Sequence, residues 1–96
     1  MPNTFTVRIH SDGKATPTHQ HGHNGDTVLF TSEQGPWTVT FDSGSPLPQS
    51  SYSGNRGQSN GGVLNGTVGN TYKYTSCCTP PNKPQACEDP DIIIDS

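Results

Sequence analysis

Three histidines stand two apart in His19-Gln20-His21-Gly22-His23. On an extended chain, alternate side chains point to the same side at a spacing of roughly 6–7 Å. A bend at Gly22 would then turn all three imidazoles onto one transition-metal ion, with His10 or Asp12 as a fourth ligand. Imidazole suits copper, nickel and zinc. Copper or zinc is therefore the cofactor this segment would hold, if it holds one. A polar loop that is merely rich in histidine has the same composition, so both readings stay open at this stage. Histidines also gain their charge between about pH 5 and 7, which would make such a loop pH-responsive.

The chain has three cysteines, Cys77, Cys78 and Cys87. An odd number permits at most one internal bridge and leaves one thiol over. The parity of the preceding residues bears on which. If Tyr72 and Tyr74 face inward, Cys78 continues on their side, while Cys77 falls with Lys73 and Thr75 on the outside. This predicts a disulfide between Cys78 and Cys87, and an exposed free thiol at Cys77 through which a second chain could be linked. A bridge over so short a segment would stabilise a small domain by roughly 2–3 kcal/mol. There is no Cys-x-x-Cys spacing to support a redox role. Asn65-Gly66-Thr67 fits the sequon for N-linked glycosylation. Asn-Gly is also the commonest tight-hairpin dipeptide, and a turn is the first expectation there.

Enzyme chemistry finds little footing. The sequence has no Gly-x-Ser-x-Gly elbow and no phosphate-binding loop, and Glu88, Asp89, Asp91 and Asp95 fall in a turn and an edge, where solvation explains them. The expectation is a non-enzyme. Formal net charge is −3, and the five cations Arg8, Lys14, Arg56, Lys73 and Lys83 are dispersed along the chain. Phosphate backbones require clustered cations, so nucleic acid is not an expected partner. The longest aliphatic run is Ile92-Ile93-Ile94, far short of the roughly 18 residues of a membrane span.

The elements that must position these residues read as strands throughout. With 96 residues the chain is expected to be a single domain over residues 1–96, near the size limit for one self-sufficient core. Hydrophobic residues make up 26% and charged residues 14%, so composition alone would permit disorder. The apolar residues are gathered into short alternating runs, however, as half-buried strands require. Phe5, Val7 and Ile9 alternate over residues 4–10. Residues 27–31 follow an Asn24-Gly25-Asp26 turn, and Trp37, Val39 and Phe41 alternate with threonines. Further strands are expected at Val63-Leu64, over residues 71–77 and over residues 91–95. Residues 11–24 and 42–62 read as loops, the former with room for a short edge strand. No window has helical spacing. About seven short strands in a chain this size indicate a sandwich or small barrel. The expected core includes Phe5, Val7, Ile9, Val28, Phe30, Trp37, Val39, Phe41, Leu47, Val63, Leu64, Val68, Tyr72, Tyr74, Ile92 and Ile94, with Trp37 and the tyrosines filling it rather than stacking on a ligand.

In order along the chain, four segments resemble the cupredoxins. Gly25-Asp26-Thr27-Val28-Leu29-Phe30 is similar to a conserved strand of that family. Pro36-Trp37-Thr38-Val39-Thr40-Phe41 is similar to the strand entered by its first histidine ligand. Gly69-Asn70-Thr71-Tyr72-Lys73-Tyr74, running into Cys78-Thr79-Pro80-Pro81, resembles the strand and loop carrying its cysteine and second histidine, and Asp91-Ile92-Ile93-Ile94-Asp95 resembles its last strand. The resemblance implies an all-β fold, a cupredoxin-like Greek-key β-sandwich of about seven strands. Cupredoxins hold one copper ion with two His, one Cys and a weak axial Met for electron transfer. Here Trp37 stands near the first histidine position, Pro81 stands at the second, and the only methionine is Met1. Cys78 alone matches a ligand. The resemblance thus implies the sandwich without its type 1 copper site, since function belongs to sites and not to folds.

The leading expectation is a non-catalytic module of a secreted or surface protein with a structural, assembly or protein-interaction role, its partner a second copy or another protein. Metal binding through the His19–His23 loop is the second expectation, and cupredoxin-type electron transfer through a rearranged site the third. The start, Met1-Pro2-Asn3-Thr4-Phe5, has neither the basic nor the apolar region of a signal peptide, which fits a cytosolic chain or a mature secreted one. The cysteines and the Thr, Ser, Asn and Gly content point to a secreted, periplasmic or cell-surface location.

Overall fold

A computed structural model describes residues 2–95. Eleven short strands form among them, and no helix: β1 (Thr4–Ile9), β2 (Ala15–Thr16), β3 (His19–Gly22), β4 (Thr27–Thr31), β5 (Trp37–Thr40), β6 (Ser51–Gly54), β7 (Ser59–Val63), β8 (Thr71–Lys73), β9 (Thr75–Cys78), β10 (Ala86–Glu88) and β11 (Asp91–Ile94). They assemble into three sheets of strand order β2-β1-β4-β7, β10-β9-β5-β6 and β3-β11-β8. The fold is all-β and sandwich-like. Most pairs are antiparallel, but β1 runs parallel to β4 and β3 parallel to β11. Parallel neighbours cannot be joined by a tight hairpin, so the chain crosses between sheets rather than meandering within one.

One core draws on all three sheets. Val7, Ile9, Val28 and Phe30 come from the first, Trp37, Val39, Tyr52 and Cys78 from the second, and Ile92 and Ile94 from the third, with Phe5 and Tyr72 packed at the margin. Phe30 is its centre: its ring lies 5.3 Å from that of Tyr74, edge to face, 6.2 Å from Tyr52 and 6.4 Å from Trp37. Aromatic clusters of this geometry stabilise beyond the area they bury.

The structure departs from the sequence expectations in four places. Residues 11–24 hold two strands, β2 and β3, and residues 42–62, expected as open loop, hold β6 and β7. Their sequences, Ser51-Tyr52-Ser53-Gly54 and Ser59-Asn60-Gly61-Gly62-Val63, lack the β-branched alternation by which strands are recognised. Neighbouring strands recruit them instead, β5 pairing with β6 and β4 with β7. The expected single strand over residues 71–77 is broken at Tyr74, whose N–H donates to the Pro90 carbonyl at 3.1 Å, and its halves join different sheets. Val63 and Val68, expected in the core, are 49% and 54% exposed. The register that sets Gly62 and Val28 opposite each other turns Val63 outward and Leu64 inward.

Asp26 ties the entry of β4 to the rest. Its buried carboxylate accepts the backbone N–H groups of Asn3 and His23, both at 2.9 Å. The Asn3 bond foremost, then the His23 bond, holds its pKa below the ordinary 3.8.

Candidate functional site

The residues capable of chemistry lie in two regions. The first is the junction of β5 and β9, where Trp37 and Cys78 stand directly opposite each other. Trp37 is buried, and its Nε1 donates to the Gln58 carbonyl at 3.0 Å. Its ring passes so close to Gly54 on β6 that a Cβ there would sit 2.7–2.8 Å from the indole, which accounts for glycine at that position. Cys78 is a free, buried thiol with the Ser32 hydroxyl 3.5 Å away. That hydroxyl donates to the Ile9 carbonyl at 2.7 Å. Pro81 is exposed in the turn after β9, and Met1 lies outside the described residues. The junction is an indole and a thiol locked in a packed layer.

The bridge expected between Cys78 and Cys87 is corrected: Cys77 pairs with Cys87, and Cys78, not Cys77, is the free thiol. The inward orientation of Cys78 follows the expected parity. The error lay in placing Cys87 inside. β10 pairs beside β9 with Cys87 directly opposite Cys77, so the two sulfurs meet on the outer face. The bridge and the β10 strand cover Cys77, leaving it 8% exposed. The exposed thiol expected to link a second chain is therefore not there.

The second region is the outer face of the β3-β11-β8 sheet. β3 and β11 run parallel with His19 opposite Asp91 and His21 opposite Ile93. His19 and His21 share a face, and each ring is held through Nδ1 by a carboxylate, that of Asp91 in β11 or that of Asp95 just past its end. His19 lies 2.8 Å from Asp91 Oδ1, and His21 lies 3.1 and 3.2 Å from the two oxygens of Asp95. An ionised carboxylate only accepts, so Nδ1 carries a proton in both pairs, and Nε2 is the ring atom left to face elsewhere. Both imidazoles are more than half exposed, at 65% and 58%.

The other two histidines do not join this pair. His23 lies past the end of β3 in the turn that Asp26 clamps, and His10 follows β1, its Nε2 2.6 Å from the Thr16 hydroxyl. Asp12 accepts from the Lys14 N–H at 3.0 Å in its own turn. Among the described residues no three His, Cys, Asp or Glu side chains are grouped to hold a metal ion. The expected convergence of three imidazoles gives way to a pair with two carboxylate anchors. Asp91 and Asp95 had been read as solvated edge residues. Their spacing with Ile93, opposite in parity to buried Ile92 and Ile94, carried the signal. The missing piece was that β11 would lie beside β3.

Among the described residues no helix is long and apolar enough to cross a membrane. No protein-family model matches the sequence, and no curated protein is significantly similar to it.

Proposed function

We propose that this chain is a non-catalytic, cupredoxin-like β-sandwich module of a secreted or surface protein, acting as a scaffold that associates with further copies of itself. The observation that carries this reading is the indole of Trp37, buried between the Gly54 backbone and the Gln58 carbonyl and facing Cys78. At the position where the resemblance calls for an imidazole ligand, this side chain is taken up by packing and by its Nε1 bond to the Gln58 carbonyl, and Pro81 likewise offers no donor atom. Outward, the sheets carry neutral hydroxyl ladders: Thr38 opposite Ser53 and Thr40 opposite Ser51 and Thr75. Edge strand β7 lies beside β6, with the Asn60 side chain donating to the Ser53 carbonyl at 3.2 Å, and it carries exposed Val63 with neither lysine nor proline among its five residues to discourage a further strand. The Cys77–Cys87 bridge is consistent with an oxidising compartment.

Sedimentation across a wide concentration range tests the association. Reversible self-association weakened by Val63→Lys is expected, and a strict monomer at every concentration would reject it. Copper addition is expected to produce no intense visible band. Such a band would restore the electron-transfer reading.

One observation favours metal binding as a second reading. Carboxylates that hold imidazoles through Nδ1 are the usual outer partners of metal-ligating histidines, and His19 and His21 have that arrangement on one face. Under this reading copper or zinc binds the Nε2 atoms, and loss of binding in both His19→Ala and His21→Ala, with His23→Ala unaffected, identifies the pair.

A further inference from the structure

We propose that Asn65 is an acceptor for an N-linked glycan, an inference that rests on the secreted reading above. The sequence left two uses for Asn65-Gly66-Thr67, a tight turn or a sequon. The structure removes the first. Residues 64–67 form an irregular connection after β7, and the turn falls later, where the Asn70 N–H donates to the Thr67 carbonyl at 3.1 Å. Gly66 is not among the glycines of positive φ, so it does not serve the conformation that makes Asn-Gly a hairpin dipeptide.

Gly66 has a different reason to be glycine. A Cβ there would lie 2.9 Å from the Tyr72 ring at the margin of the core, 3.0 Å from buried Pro46 and 3.1 Å from core Ile94. Position 66 therefore faces inward, as does buried Leu64 two residues earlier. By alternation Val63, Asn65 and Thr67 face outward, and all three are exposed. The backbone is fixed in this orientation from three sides. The Asn65 N–H donates to the Pro46 carbonyl at 2.7 Å, the Gly66 N–H to Asn24 Oδ1 at 2.8 Å, and the Thr67 N–H to the Tyr72 hydroxyl at 2.7 Å. The Asn65 side chain has no hydrogen bond to any of the described residues, so a glycan on its Nδ2 displaces nothing. Val63 and Val68, the two large apolar side chains left exposed, lie two residues before and three after it. The apolar face of the first sugar would shield such a surface. The attachment is transfer of the oligosaccharide from a lipid diphosphate to the Asn65 amide: the Nδ2–glycosidic bond forms, the sugar–phosphate bond breaks, the lipid diphosphate leaves, and the amide gives up one Nδ2 proton to solvent.

The test is secretion of the full chain, behind a cleavable signal, from a eukaryotic cell that glycosylates. Intact mass is then read before and after enzymatic deglycosylation. A glycan removable by the enzyme is expected on the parent and on Thr67→Ser, and absent from Asn65→Gln and Thr67→Ala. Secreted protein with the Cys77–Cys87 bridge formed and Asn65 unmodified would overturn the inference while leaving the secreted reading standing. Reduced Cys77 and Cys87 in protein isolated from its native cells would instead reject the secreted reading.

Discussion

The β5–β9 junction and the β3–β11 face are built alike and end as opposites. In each, two strands distant in sequence are brought side by side, and in each the alternation of side chains sets one row inward and one outward. At β5–β9 the residues with reactive potential, Trp37 and Cys78, fall on the inward row and become packing. At β3–β11 the inward row is Ile92 and Ile94, and the imidazoles fall outward, open to solvent or an ion, His19 on a buried Asp91 carboxylate and His21 on a partly exposed Asp95. Availability for chemistry is thus decided by strand parity more than by residue type.

The sharpest way to break this contrast is to remove one member from each side. Trp37→Ala should lower unfolding free energy by about 3–5 kcal/mol in chemical denaturation, because it empties a packed site. His21→Ala should cost no more than about 1 kcal/mol, as exposed pairs do, and His19→Ala somewhat more, because it leaves the buried Asp91 carboxylate without that partner. Comparable losses at the two sites would contradict the division.

The sulfur chemistry divides along the same line. Cys77→Ser or Cys87→Ser should cost about 2–3 kcal/mol by opening a short loop in the unfolded chain. Cys78 should resist a thiol reagent in the folded protein and react as one thiol per chain once denatured. Rapid reaction under native conditions would place it outside the core.

A smaller effect of opposite sign is expected at Tyr74. Its hydroxyl is buried without a hydrogen-bond partner, and burial, with a lesser contribution from the Asp91 charge, pushes its pKa well above the usual 10. Tyr74→Phe should raise stability by about 1 kcal/mol, since an unsatisfied polar group is removed with little change of shape. A loss of similar size would reveal a partner for the hydroxyl.

The last effect is present at neutral pH and lost in acid. Asp26 has a folded-state pKa below its unfolded value of 3.8, so its contribution is complete above that pH and is lost as pH falls through the folded value. Asp26→Asn should lower stability at neutral pH and flatten the fall below about pH 4, measured by urea midpoints against pH. An unchanged acid profile would remove Asp26 from the account.

Much of the fold was legible because its central strands are amphipathic. Phe5-x-Val7-x-Ile9 and Trp37-x-Val39 alternate with no competing period, and all but the half-buried Phe5 are buried as alternation requires. β6 and β7 were not legible, because serine and glycine carry no such pattern and their strand character comes from the neighbours they pair with. The candidate sites were legible in composition and not in arrangement. His19 and His21 on one face follow from local spacing, whereas the Asp91 and Asp95 partners depend on a parallel pairing of segments some 70 residues apart. Cys77–Cys87 depends in the same way on β10, a three-residue strand that sequence did not suggest.

The position of β11 bears on how the molecule comes into being. Residues 91–94 separate β3 from β8 and hydrogen-bond to both, so a nascent chain that has emerged only as far as Pro90 has two flanks of a sheet with no middle. Completion waits for these four residues, and until then Ile92's and Ile94's place in the interior stands empty. Such late, long-range closure is slow by nature.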